Sequence, residues 1–311
     1  MSLPGVEVWR GGVNTWECDE MGHLNVRFYV TRAMEGLAGL AAELGLPHAF
    51  APGTGATLLV REQHIRFLRE CHAGAALHML GGVIEMTETE ARLLLLLVHS
   101  ASGQIAATFQ TTVAHVTSHE ARPFEWPRRT RDLAEKLTVE APPEAQARSI
   151  VLGPVDSKAG LERAKKLGLL RIGLGAIGLP DVDIFGRMRV EQFIGRVSDG
   201  IPSLVGAFRD TVAQKAPSKP GRVGGAVLEY RLVHLDWPRA GDRVEIRSGL
   251  AGTDARTQRL MHWLLDPETG KAWGTSEAIA ITFDLDARKV VPISDEAQAE
   301  LSRHVVKGLS L

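Results

Sequence analysis

The chain has 311 residues, enough for about two ordinary domains with a sizeable core. Its 36 basic and 37 acidic residues leave a formal net charge of −1, which argues against nucleic acid or an anionic membrane surface as the main partner. The two cysteines, Cys18 and Cys71, supply neither a disulfide framework nor a metal-ligand spacing, and fit a reducing compartment.

Residues 1–4 lack the basic and apolar regions of a signal peptide, and the longest run of large aliphatics, residues 93–98, is far too short to span a bilayer. The expectation is a soluble, cytoplasmic protein.

In chain order, residues 5–13 read as a short strand ending at glycines. A polar cluster follows, with Asp19, Gly22, His23 and Asn25 inside seven residues, directly before a helical pattern. Val26, Val30, Ala33, Leu37, Leu40, Ala41 and Leu44 recur at helical spacing, and Asn25 stands where an N-cap belongs. Gly45 and the loop at 47–55 end that helix. Residues 57–68, 75–87, 91–99 and 104–116 read as four strands separated by turn-prone segments. One helix followed by several long antiparallel strands is an α+β arrangement.

Prolines 123, 127, 142 and 143 then break regular structure, and residues 128–137 read as a short charged helix. Beyond them the first half is replayed. At an offset of 164, Gly11, Asp19, Gly22, Val26, Arg32, Gly36 and Leu40 meet Gly175, Asp183, Gly186, Val190, Arg196, Gly200 and Leu204. After the helix the offset becomes 167, so that Glu62, Gly74, Arg92 and Gly103 meet Glu229, Gly241, Arg259 and Gly270. Gly200 and Pro202 predict a kink or restart in the second helix. A closing helix is expected near residues 295–306. A repeat of this length is a duplicated domain, since solenoid periods run at about 20–50 residues. The predicted organisation is a first domain at 1–140 that includes the charged helix, a linker at 141–165, and a second domain at 166–311.

The polar cluster carries chemistry. Asp19 carries a carboxyl group that can serve as base or nucleophile. The helix start at Val26 and Arg27 offers backbone donors and a positive dipole end to a developing oxyanion. Gly22 lets backbone approach a ligand closely. The plainer readings are that Asp19 holds a turn, that His23 donates to a carbonyl, and that Asn25 only caps the helix. Cys18 has no evident basic partner to make it a thiolate. Glu62 and His64 share one strand face, with Glu229 and Arg231 at the corresponding places; they either line a cleft or stand as polar sheet positions. Arg66 and Arg69, or Arg187 and Arg189, could meet phosphates or belong to a solvated charged face.

The run Asp19-x-x-Gly22-His23-x-Asn25, with Tyr29 and Glu35 on the helix, resembles the signature of the 4-hydroxybenzoyl-CoA thioesterase-like hotdog family. Such domains wrap a curved antiparallel sheet around a long helix, and the duplication makes the chain similar to a tandem, or double, hotdog. The sequence departs from the family at Val26, where a second asparagine is common, and at Arg187 and Arg189, which replace His23 and Asn25 in the second half. The resemblance implies an acyl-CoA thioesterase that releases a free acid and coenzyme A. Asp19 would be base or nucleophile, and His23 and Asn25 would shape its pocket. Gly22, Val26, Glu62, His64, Asp183, Arg187 and Arg189 would contact substrate. Coenzyme A enters as part of the substrate, with no bound cofactor or metal implied. The alternatives are a hotdog hydratase or dehydratase, or a non-catalytic acyl-CoA binding or regulatory protein. Assembly of the tandem unit into a homo-oligomer stays open.

Overall fold

The apolar stripe after Asn25 forms the helix its spacing predicts, and each half of the chain builds a sheet around such a helix. The computed structural model describes residues 3–155 and 157–311. Met1–Ala147 with Leu179–Gln192 make one compact unit; Arg148–Gly178 with Phe193–Leu311 make the other. The turn around Asp183 thus clusters with the first unit rather than with the second.

In the first unit, β1 (Val6–Gly12) leads through the polar turn into α1 (Val26–Glu43). Four strands follow: β2 (Ala56–Phe67), β3 (Ala76–Met86), β4 (Glu90–His99) and β5 (Ile105–Thr117). They pair antiparallel in the order β1-β3-β4-β5-β2. Val30, Ala33, Leu37 and Leu40 of α1 and its C-cap Leu44 are fully buried. Each such leucine contributes about 1.5–3 kcal/mol by leaving water. The helix lies close on β1 because glycine faces it: a Cβ at Gly39 would sit 2.1 Å from the Val8 carbonyl oxygen.

The charged segment that follows is α2 (Arg128–Lys136). Its exit pairs with β3, through Val83 N–H to Leu137 O and Val139 N–H to Val83 O, both 2.9 Å. Val139, Ala141 and Ala145 then cover Leu94, Leu96 and Val98 from the face opposite α1. That second cover explains why residues 93–98 are apolar throughout instead of alternating: β4 is buried on both sides.

The second unit opens with α3 (Leu161–Lys166), whose Leu161 and Ala164 pack with Leu169, Met261, Trp263 and Leu309. Next come β6 (Leu170–Ala176), α4 (Val190–Gly200) and α5 (Pro202–Gln214). The expected kink or restart falls at Pro202, which opens α5 one residue after α4 ends, while Ile201 between them keeps a helical backbone. The strands β7 (Val223–His234), β8 (Arg243–Thr253), β9 (Gln258–Leu265) and β10 (Ala272–Asp284) complete an antiparallel sheet in the order β6-β8-β9-β10-β7. A short β11 (Lys289–Val290) pairs with β10. The closing helix α6 (Asp295–Leu301) is shorter than its sequence pattern predicts and runs into a 3-10 turn at Ser302–His304.

The two sheets share strand order and also irregularities. The register shifts between Glu7 and Trp9 and between Arg171 and Gly173, at the offset of 164. It shifts again between Val83 and Glu85 and between Leu250 and Gly252, at the offset of 167. Bulges are specific local devices, so their recurrence at both offsets makes the duplication structural as well as sequential. Among the described residues, no helix is long and apolar enough to cross a membrane.

Candidate active site

The turn before α1 is built by Asp19. Its Oδ1 accepts from the Met21 and His23 N–H groups at 2.9 and 3.1 Å. Its own N–H donates to His23 O at 2.8 Å, and Gly22 N–H returns to Asp19 O at 3.0 Å. Gly22 closes the turn at φ +78°, a left-handed conformation that glycine adopts without strain. Asn25 then caps α1, its side-chain oxygen taking the Arg27 N–H at 3.0 Å. The cap changes the oxyanion expectation. Arg27 N–H is occupied, and Val26 N–H is the helix-start donor that makes no hydrogen bond among the described residues.

The second motif folds in the same way. Asp183 Oδ1 accepts from the Phe185 and Arg187 N–H groups at 2.8 and 3.0 Å, and Gly186 sits at φ +76°. Aspartate and glycine therefore recur because this turn needs an acceptor and a left-handed residue. Chemistry depends on what differs between the halves. In the second, Arg187 Nε and Nη2 both approach Asp183 Oδ2 at 3.2 Å, so both carboxylate oxygens are engaged. Arg189 pairs instead with Glu191, at 3.3 Å. In the first, Oδ2 of Asp19 makes no hydrogen bond among the described residues.

Two further elements hold the first motif. Glu17, buried in the 3-10 turn Thr15–Glu17, pairs with Arg32 of α1, and its other oxygen accepts the Asn14 N–H at 2.8 Å. The loop after β2 lies along the motif, with Leu24 N–H donating to Cys71 O at 2.7 Å and a bridge joining His23 to His72. From this loop Glu70 reaches His23, with Oε2 3.4 Å from Nε2. His72 is 3.7 Å from the same oxygen. Residues 70–74 read from the sequence as a turn, and neither Glu70 nor His72 stood out. Their one local signal is an acid two residues before a histidine, directly after a strand.

Tyr29 donates to Arg69 O at 3.2 Å, and burial first, then the neighbouring Cys71, holds its phenol well above 10. Burial also pushes the Cys71 thiol up to about 11, so it stays protonated at neutral pH. On β2, His64 is buried and Glu62 is half-buried. Their counterparts are structural: Glu229 accepts the Arg148 and Ser149 N–H groups at 2.9 and 2.8 Å, and Arg231 donates to Val151 O at 2.9 Å and to Gly153 O. Arg66 likewise donates to Gln146 O at 2.9 Å. Glu229, Arg231 and Arg66 thus secure the segments that cross their sheets.

Two antiparallel sheets of identical order, each with its helix entered through an aspartate–glycine turn, define a tandem hotdog protein. The model of the thioesterase-like superfamily matches residues 13–146 and again 177–301, and the chain belongs to that superfamily. The fold is shared with three solved structures. A Lactobacillus plantarum protein carrying the name oleoyl thioesterase is 11% identical, with a TM-score of 0.65 over 88% of this chain and 94% of its own. An acyl-ACP thioesterase from Bacteroides thetaiotaomicron is 11% identical, with a TM-score of 0.63 over 88% and 96%. The 12:0-ACP thioesterase of Umbellularia californica is 10% identical, with a TM-score of 0.63 over 88% and 92%. No curated protein sequence matches the chain.

Proposed function

We propose that the protein hydrolyses acyl thioesters, with an acyl-CoA as substrate and the first motif as the working site. The observation that carries this reading is the asymmetry of the two aspartate turns. Both are folded alike, yet Asp183 is held by Arg187 while Asp19 keeps one carboxylate oxygen uncommitted beside a capped helix start. The superfamily supports the reaction class, and the motif Asp19-x-x-Gly22-His23-x-Asn25 of the first half resembles the signature of the 4-hydroxybenzoyl-CoA thioesterases.

In this scheme Asp19 takes a proton from water as the oxygen attacks the thioester carbonyl, or attacks directly to form an anhydride that water then opens. The Val26 N–H and the helix dipole stabilise the oxyanion; one well-aimed donor is worth roughly 3–4 kcal/mol in such a transition state. The C–S bond breaks as the tetrahedral intermediate collapses, and the leaving thiolate takes up a proton. His23 and Asn25 fix the pocket around Asp19, and Gly22 admits substrate without a Cβ in the way. Glu62 and His64 are assigned to the substrate cleft. Asp183, Arg187 and Arg189 are assigned to substrate binding, and Arg189, the more exposed of the two arginines, suits a phosphate.

Two of the three structural neighbours are named as acyl-ACP thioesterases, which makes acyl carrier protein the competing thiol carrier. A panel of short, long, branched and aromatic acyl-CoAs and acyl-ACPs, read by released thiol, tests both the activity and the carrier. Turnover of the CoA series is expected. Binding without thiol release in either series would refute hydrolysis, and release from acyl-ACP alone would refute the CoA assignment.

A further inference from the structure

Glu70, His23 and His72 converge from two loops, and each presents one ligand atom within 4.8 Å of the others. Glu70 Oε2 is 3.4 Å from His23 Nε2 and 3.7 Å from His72 Nε2. Four ligands on a tetrahedral ion with bonds of about 2.0–2.1 Å lie roughly 3.3–3.4 Å apart. The two separations from Glu70 are thus close to the edges of such a tetrahedron.

Tautomer chemistry strengthens the case. His72 Nδ1 lies 3.2 Å from Gly22 O. A carbonyl oxygen only accepts, so Nδ1 carries the hydrogen and a neutral His72 turns its Nε2 lone pair toward the Glu70 carboxylate. Two lone pairs facing one another require a proton or a metal cation between them. A histidine that gives one ring N–H to a carbonyl and aims the other nitrogen inward is also the usual outer-shell arrangement of a metal ligand.

The backbone holds the three groups in place without help from an ion. His23 and His72 are joined by a bridge, Leu24 N–H bonds Cys71 O, and His99 Nε2 lies 3.2 Å from Glu70 O. The nearby cysteine is not a ligand, since Cys71 Sγ turns toward His99 at 3.7 Å.

We infer that His23, Glu70 and His72 form a binding site for one divalent transition-metal ion of the zinc class, with a fourth position open to water or ligand. Two imidazoles and a carboxylate suit such an ion better than calcium or magnesium, which prefer all-oxygen shells. The inference does not depend on thioester hydrolysis, and binding is measurable whether or not turnover is found.

The test uses the full chain, stripped of metal, titrated with Co2+ and then with Zn2+ in competition with a chromophoric chelator. One equivalent should bind, with the visible absorption of a low-coordinate Co2+–His site that Zn2+ abolishes. H72A and E70Q should each weaken Zn2+ binding by more than about 100-fold, beyond the 10–100-fold typical of outer-shell changes. The exposed His119 serves as control, and H119A should bind as wild type. The His72 side chain is 58% exposed, so its truncation leaves the fold intact, which circular dichroism verifies. No stoichiometric uptake at micromolar metal, or uptake of wild-type affinity in either H72A or E70Q, overturns the assignment.

Discussion

Replacing each motif aspartate by asparagine should separate stability from turnover, in opposite directions at the two turns. Asparagine keeps an Oδ1 acceptor, so the two backbone N–H groups under each turn remain served; what disappears is the charge. At Asp183 that charge faces Arg187, whose side chain is only 6% exposed, while Asp183 itself is 32% exposed. Breaking a fully buried pair costs about 3–5 kcal/mol, and an exposed one about 0–1. The mixed exposure places Asp183→Asn at about 1–3 kcal/mol. For a unit of this size that is a melting-point loss of roughly 3–10 °C. Among the described residues no guanidinium bonds the Asp19 carboxylate, and Asp19→Asn should shift the melt by less than about 1 kcal/mol, the scale of one weakened hydrogen bond. Turnover should show the reverse order: Asp19→Asn loses about 10²–10⁴-fold, typical of a removed base, and Asp183→Asn changes mainly KM. Thermal melts and steady-state thiol release on both variants decide it. Full activity in Asp19→Asn with a dead but stable Asp183→Asn would refute the reasoning.

Three further outcomes follow from local geometry. Gly39→Ala would push a Cβ to 2.1 Å from Val8 O, and Gly200→Ala one to 2.3 Å from Ile172 O; each should cost about 3 kcal/mol in urea melts. Gly22→Ala meets open space and bears only the left-handed backbone, about 1–2 kcal/mol, so equal losses at the three sites would sink the close-approach argument. In native protein at pH 8, Cys18 should react with a thiol reagent and Cys71 only on unfolding, because Cys71 is buried and its thiol is raised to about 11; two fast equivalents would contradict this. His262 is buried against Ser248 and burial lowers it to about 3, so it folds neutral. Its stabilising effect is complete above the unfolded pKa of about 6.5 and fades as pH falls from there toward 3, amounting to about 2 kcal/mol by pH 5. Urea melts at pH 7 and 5 should therefore show a smaller acid loss in His262→Gln, and an unchanged loss would count against it.

Much of this molecule is decided within short stretches of chain. The stripe from Val30 to Leu44 forms α1 because 3.6-residue periodicity and an asparagine cap act locally, and Gly200 with Pro202 restarts the second helix for equally local reasons. The duplication was legible because the turn chemistry of Asp19-x-x-Gly22 and Asp183-x-x-Gly186 is fixed by four residues. Other features depend on partners distant in sequence. No spacing rule brings Glu70 and His72 to His23, because that contact exists only where the loop after β2 lies along the motif. Glu229 and Arg231 read from the sequence either as cleft-lining or as plain polar sheet positions, and only the segment at 148–153, which crosses the sheet and claims their hydrogen bonds, decides their role. Arg187 and Arg189 look interchangeable in sequence, yet one side chain folds back on Asp183 and the other turns to Glu191. Local pattern fixes which elements form; the charges and lone pairs they bring together are set by tertiary packing.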